Sequence, residues 1–240
     1  MRQFRARSGP FATQLRFSTK EIDQLCVDAL AKVDLLPAAP AAIRIDRFVE
    51  KYFDCPLVYE DMGPGVLGCT IFNDTGGVVA VIVSPHLADG SQVSERRLRS
   101  TIAHEAGHGL LHPVLFMASP EQEKLKVQTG DCENVDFARR RILCRDSDVS
   151  ETAGRKGYDK RWWEWQANRA IGGFLLPEKL VRQSVDRFTN ASVITGSKSL
   201  PAEKRTEAEQ WVAEIFDVNP IVARIRLSEL FPCPGAQITF

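Results

Sequence analysis

The five residues His104-Glu105-Ala106-Gly107-His108 decide how this sequence is interpreted. Apolar residues recur around them at helical spacing, at Leu98, Ile102, Ala106 and Leu110, which predicts a helix from about 94 to 112. Side chains four residues apart lie on one face of a helix, about 6 Å from each other, so His104 and His108 can bind one metal ion. Glu105 is then placed to take a proton from the attacking water, as a catalytic base.

A chance occurrence of this pattern is the competing interpretation. Two observations favour a metal site. The helical periodicity is independent of the motif, and three of the chain's four histidines fall within nine residues.

The third ligand is expected to be a carboxylate on a second helix. A catalytic zinc ion takes three protein ligands, and no histidine follows His112. Glu164 is the best candidate, because it stands among three tryptophans and a buried carboxylate needs a partner. Asn168, one helical turn further on, is expected to orient the ring of His104 or His108 by a hydrogen bond. The competing interpretations are an exposed helix charge at Glu164 and a polar surface residue at Asn168.

Helices and short strands are predicted on both sides of the motif. Ser18-Thr19-Lys20-Glu21 is a capping box that begins the first helix, and Asp74-Thr75-Gly76-Gly77 predicts a hairpin turn. The run 78–83 is almost wholly apolar, as in a strand buried on both faces. Further helices are expected at about 42–53, 159–176, 177–188, 202–216 and 220–230, a short one near 137–143, and strands at 56–59, 66–73 and 77–84.

These elements predict one α+β domain with a small mixed sheet, a metal-binding helix and a helical C-terminal part. An N-terminal tail of 17 residues precedes it. The domain is expected to contain a helical part (18–53), strands with the metal helix (54–113), a surface excursion (114–158), and the second ligand helix with the C-terminal helices (159–232).

Composition argues against several classes of function. Basic and acidic residues both number 31, so the net charge is zero, and we expect no direct nucleic-acid or membrane partner. The sequence has neither a secretory signal nor an apolar run of about 18 residues, so a cytoplasmic protein is expected. None of the six cysteines forms a CxxC pair, and free thiols are expected. Cys132 and Cys144 flank the basic run 139–141, and they are the two considered for pairing or metal binding.

The two motifs together resemble a known family. HEAGHGLLH, beginning at His104, and EWQANRAIGGFLLP, beginning at Glu164, resemble the paired motifs HExGHxxLH and ExxANxFAxxLLMP of the ImmA/IrrE zinc metallopeptidases. The resemblance covers about residues 18–232. It implies a zincin-like fold, one zinc ion per chain and hydrolysis of a protein or peptide substrate, often a transcriptional repressor. By the family's pattern, His104, His108 and Glu164 are the ligands and Glu105 is the base.

The sequence departs from the family's pattern at three places. They are Ala106, the stretch Ala170-Ile171-Gly172-Gly173, and the length of the segment 114–158. None of them removes a ligand. The last two departures leave open which shape of substrate the site accepts, but they do not affect the expected chemistry.

Other details of catalysis remain open in the sequence. A developing oxyanion needs a donor besides the metal, and Tyr158, His86, His112 and Arg161 are candidates. For His112, a packing or capping role is favoured. Zincins commonly bind substrate as an added strand at a sheet edge, and the strand 77–84 or its hairpin neighbour is expected to provide that edge.

Two other classes of function compete with a peptidase. One is a metal-containing regulatory or toxin–antitoxin-type interaction protein without turnover. The intact Glu105 favours the enzyme, because a purely structural site has no use for a base. The other is a DNA-binding regulator, which the zero net charge and the absence of a recognisable helix-turn-helix disfavour.

Overall fold

The described part of the chain is a mixture of helices and strands, as predicted. A computed structural model describes residues 2–5, 10–11, 13–117, 135–136, 139–145, 161–191 and 198–232. These residues form seven α-helices, a five-stranded mixed sheet and two small two-stranded sheets. The chain is therefore α+β. No helix in these ranges is both long enough and apolar enough to cross a membrane.

The helices and strands, in chain order, have the following bounds. The helices are α1 (Thr19–Lys32), α2 (Ile45–Phe53), α3 (Gln92–Leu111), α4 (Trp162–Leu175), α5 (Glu178–Ser184), α6 (Arg205–Phe216) and α7 (Pro220–Leu230). The strands are β1 (Arg2–Arg5), β2 (Thr13–Arg16), β3 (Leu57–Tyr59), β4 (Val66–Phe72), β5 (Val78–Val83), β6 (Val135–Asp136), β7 (Arg141–Arg145), β8 (Asn190–Ala191) and β9 (Lys198–Ser199).

Helix starts follow local capping chemistry. At the first turn of α1, the hydroxyl of Ser18 accepts a hydrogen bond from the backbone N–H of Glu21, and the Glu21 carboxylate accepts one from the backbone N–H of Ser18. Asn219 caps α7 by accepting a hydrogen bond from the N–H of Ile221, with Pro220 as the first helical residue. The first of these caps confirms the predicted capping box, and helix α7 begins at residue 220, where a helix was expected.

The first 17 residues differ from the predicted irregular tail. Strands β1 and β2 pair with each other. Leu15 is fully buried, and Phe11 packs against Phe116, Trp162 and Trp163 with ring centroids 5.2 to 5.9 Å apart. The sequences RQFR and TQLR show no clear apolar alternation, so periodicity alone could not predict these strands.

The five-stranded sheet has the order β3-β5-β4-β7-β6. Strands β4 and β5 form the predicted hairpin, β3 lies parallel to β5, and β7 pairs antiparallel with β4. The short helix predicted near 137–143 is wrong, because residues 141–145 form a strand there. Alternation along β7 explains the error, since Ile142 and Cys144 are buried between half-buried neighbours.

Two expectations about the hairpin are also wrong. Strand β5 is not buried on both faces, because Val79 is 45% exposed while Val81 and Val83 are buried. Neither hairpin strand provides a free edge for a substrate. Strand β5 lies between β3 and β4, and β4 lies between β5 and β7.

Helix α3 packs closely against helix α4 at Gly107. A Cβ atom added at this glycine would lie 2.7 Å from Cβ of Ala170 and 3.2 Å from Cα of Ala167. Ala167 and Ala170 are both fully buried. The two helices can therefore come this close only because small residues meet at the contact.

We predict that Gly107→Ala destabilises the protein by about 1–3 kcal/mol through overpacking, although glycine to alanine within a helix normally stabilises by about 1 kcal/mol. Gly172→Ala in α4 is the matched control, because its added Cβ would meet Arg226 only at 3.4 Å. This control should be neutral or stabilising. Urea denaturation measures both, and a stabilising Gly107→Ala would contradict the close contact.

Candidate metal centre

Helices α3 and α4 bring two imidazoles and one carboxylate to a single point. Nε2 of His104 lies 3.0 Å from Nε2 of His108 and 3.2 Å from Oε2 of Glu164. Nε2 of His108 lies 3.5 Å from the same carboxylate oxygen. All three residues are buried, and their ligand atoms lie within 4.8 Å of one another. This group can hold a metal ion.

The chemistry of these groups fits a cation. Oε1 of Glu164 is buried and has no hydrogen-bond partner among the described residues, and a buried carboxylate oxygen without a partner is costly. Burial opposes ionisation of Glu164, but the charge of His108 and hydrogen bonds with His104 and His108 lower its pKa below the ordinary value. These contacts favour the ionised carboxylate, which is the form that binds a metal.

A chain of hydrogen bonds fixes which nitrogen of His108 faces the site. The side-chain amide of Gln166 donates from Nε2 to the carbonyl of Leu15 at 2.8 Å, and a carbonyl can only accept. Oε1 of Gln166 therefore accepts from Nε2 of His112 at 3.0 Å. Nδ1 of His112 must then accept from Nδ1 of His108, also at 3.0 Å. When His108 is neutral, as a metal ligand must be, Nε2 is therefore the nitrogen that carries a lone pair toward the site.

The neutral state of His112 agrees with this arrangement. Burial and the charge of His108 lower the pKa of His112 to about 3. Both of its ring nitrogens are engaged, so it has no N–H for the oxyanion role considered from the sequence. His112 acts on the site through His108 instead.

Asn168 lies where the helical spacing predicted it. Its Oδ1 is 3.0 Å from Nδ1 of His104. With Nδ1–H donated to this oxygen, Nε2 is the nitrogen of His104 that faces Glu164, and it carries a lone pair when the imidazole is neutral, as a metal ligand must be. Each of the two histidines is thus oriented through its outer nitrogen.

Strand β4 packs on helix α3 and holds Glu105 in position through Thr70. The hydroxyl of Thr70 lies 2.5 Å from Oε2 of Glu105 and 3.0 Å from its backbone carbonyl. Gly68 leaves room for the same carboxylate, because a Cβ there would lie 2.6 Å from Oε1. Neither Thr70 nor Gly68 was predicted from the sequence, because their positions depend on how strand β4 packs on helix α3.

Cys144 on strand β7 also reaches this region. Its Sγ, a carboxylate oxygen of Glu105 and a ring nitrogen of His104 lie within 4.8 Å of one another. Burial raises the pKa of the Cys144 thiol to about 12, whereas the charge of His104 and a hydrogen bond with it act in the opposite direction. In the sequence, the only signal for Cys144 was its position beside the basic run 139–141.

The remaining oxyanion candidates do not gain support from the described residues. Tyr158 lies outside them. His86 has a highly exposed side chain 3.8 Å from Asp61. Arg161 is the N-cap residue of α4.

Comparison with known proteins does not assign the chain to a group. No family model matches it, and no curated protein matches it. The identity of the metal and the chemistry at the site therefore rest on the residues themselves.

We predict that Zn²⁺, used as the probe, stabilises the metal-free protein through Glu164. At a free concentration of 1,000 times the Kd, zinc should raise the free energy of unfolding by about 4 kcal/mol. Glu164→Gln should lose most of this gain, because a neutral amide is a poor replacement for the carboxylate ligand. Thermal denaturation with and without zinc measures the effect. Glu207→Gln, at an exposed position in α6, should keep the full gain, and an equal gain in Glu164→Gln would exclude Glu164 as a ligand.

We also predict that Gln166→Leu weakens metal binding by about 10–100-fold, although Gln166 touches no metal ligand atom. The substitution removes the acceptor that holds His112, and through it His108, in the correct tautomer. Competition with a chromophoric chelator measures the affinity. Gln183→Leu, at an exposed position in α5, is the control. Unchanged affinity in Gln166→Leu would show that the hydrogen-bond chain has no influence on the site.

Proposed function

We propose that this protein is a zinc-dependent endopeptidase that hydrolyses peptide bonds of a protein substrate. The observation that carries the proposal is the convergence of His104, His108 and Glu164 from two helices, with the carboxylate of Glu105 beside them. Two imidazoles and one carboxylate are a donor set that catalytic zinc uses, with a fourth position for water or substrate. Harder cations prefer sets composed of oxygen ligands.

The proposed ligands come from both helices, the two histidines from α3 and the glutamate from α4. His104 and His108 would bind zinc through Nε2, and Glu164 through its carboxylate. When bound, zinc would polarise the substrate carbonyl and acidify the attacking water. Asn168 and the pair His112–Gln166 hold the two imidazole rings in position during this chemistry.

Glu105 is the proposed base. Its carboxylate takes one proton from the attacking water and then passes that proton to the leaving amine nitrogen as the C–N bond breaks. Thr70 holds Oε2 by its hydroxyl, so the carboxylate keeps a fixed position under strand β4. Gly68 keeps the space above the other oxygen clear.

The arrangement of elements supports a zincin-like domain. A helix bearing both histidines packs under a mixed sheet, and a second helix contributes the acid. The resemblance of the two motifs to the ImmA/IrrE family points in the same direction. From that resemblance we propose a regulatory protein as the substrate, with a transcriptional repressor as the first candidate.

A second candidate function is a metal-containing regulatory protein without turnover. Two observations favour it: the site residues are completely or almost completely buried, and the Cys144 thiol lies among them. Both functions require metal binding. Cleavage of a protein substrate by the metal-loaded chain separates them.

We predict that Glu105→Gln lowers kcat/KM by about 10²–10⁴-fold, the usual contribution of general acid–base catalysis. The zinc content should stay at one ion per chain, because Glu105 is not one of the three ligands. The assay uses a panel of purified transcriptional repressors as substrates, with cleavage followed by mass spectrometry.

Glu95→Gln is the matched control, since it lies on the same helix at an exposed position. It should cleave at the wild-type rate. Cleavage by Glu105→Gln at that rate would mean that Glu105 is not the base. The absence of cleavage by the wild-type protein on any tested substrate would favour the function without turnover.

A further inference from the structure

Cys144 reaches the candidate metal centre from the sheet, whereas the three proposed ligands come from helices. Strand β7 pairs antiparallel with β4, and the register aligns Cys144 with Gly68 and Ile142 with Thr70. Directly opposite residues in antiparallel strands point to the same face. Cys144 therefore points the same way as Gly68 and Thr70, toward Glu105.

The thiol of Cys144 lies close to one of the proposed ligands, His104, and to the proposed base, Glu105. Sγ of Cys144 lies within 4.8 Å of a ring nitrogen of His104 and of a carboxylate oxygen of Glu105. His104 also belongs to the group formed with His108 and Glu164. The thiol is thus a fourth potential ligand at the side of the site where Glu105 lies.

Cys144 differs from the other buried cysteines. A buried cysteine is ordinarily a small apolar side chain, and Cys26, Cys55 and Cys69 are buried in this way. Among the residues that the structure describes, none of those three belongs to a group with metal-binding geometry.

A second observation indicates a ligand at this place. Glu164 is 96% buried, and its Oε1 has no hydrogen-bond partner within the described ranges. An ionised carboxylate oxygen in such surroundings needs a positive partner. His104 belongs both to this group and to the group that contains Cys144, so the thiol approaches the site from the side of His104 and Glu105.

We propose that the thiolate of Cys144 is a fourth protein ligand of the metal ion, so that strand β7 closes the site. The inference rests on the proposed metal site. On coordination the S–H bond breaks, a sulfur–metal bond forms and the proton leaves to solvent. Four protein ligands including a cysteine describe a closed site, whereas a catalytic site keeps one position open.

Closure by Cys144 has a second consequence for the substrate. Strand β7 occupies the side of β4 along which an extended peptide could otherwise pair. Coordination by Cys144 and pairing of β7 with β4 would therefore both oppose substrate binding.

Cobalt substitution in the full chain tests the ligand directly. The metal-free protein is loaded with one equivalent of Co²⁺, and the absorption spectrum is recorded. We expect visible bands of bound cobalt together with an intense near-ultraviolet band from sulfur-to-cobalt charge transfer. Cys144→Ala and Cys144→Ser should lose the charge-transfer band and keep the visible bands. Cys69→Ala, which removes a buried thiol from the adjacent strand, should keep both.

The outcomes separate this inference from the proposed peptidase. Bound cobalt without a charge-transfer band in the wild-type protein, or a band that survives in both Cys144 variants, would overturn it. Failure of cobalt to bind would overturn it as well. If neither variant folds, X-ray absorption of the zinc-loaded wild-type protein decides, because ligation requires a sulfur at about 2.3 Å from zinc.

Activity gives the second readout. Cys144→Ala should cleave the substrate about tenfold faster than the wild-type protein or more, because a dominant closed form leaves only a small competent fraction. A charge-transfer band that depends on Cys144, with no cleavage by any variant, would leave the ligand assignment standing and reject the peptidase. Cleavage at equal rates by both proteins would reject closure of the site by β7.

Discussion

The close approach of helix α3 to helix α4 at Gly107 is the constraint on which the site depends. Small residues at this contact allow the backbones to come near enough for Glu164 to reach the imidazoles of His104 and His108. A side chain at Gly107 would separate the carboxylate from its partners and leave a buried charge unpaired. Packing and chemistry are therefore coupled here, since the same contact closes the core and assembles the ligands.

Contacts between the buried groups, and not burial alone, set the protonation state of Glu164. A carboxylate and two imidazoles are held together away from water. The hydrogen bonds at Nδ1 of His104 and Nδ1 of His108 therefore orient the two rings. The chain from His108 through His112 and Gln166 ends on the backbone carbonyl of Leu15. Strand β2 thus supports the site indirectly, because the carbonyl of Leu15 holds Gln166 on the second ligand helix.

Local patterns predicted the parts of the fold that local chemistry determines. Helical periodicity, the capping box at Ser18 and the four-residue spacing of the histidines each depend on neighbouring residues, and the helices α1, α3 and α7 lie close to where they were expected. Partners that meet across the fold were missed, namely the N-terminal strands, strand β7 with Cys144, and Thr70 above Glu105. Their signals in the sequence are single residues whose meaning depends on which strand pairs with which.

Anomalous X-ray diffraction at the zinc edge, from crystals of the zinc-loaded protein, tests most directly whether two helices hold one ion. The account predicts a single peak at about 2.0–2.2 Å from Nε2 of His104, Nε2 of His108 and a carboxylate oxygen of Glu164. A peak bound elsewhere, or a Glu164 side chain turned away from the two imidazoles, would contradict it.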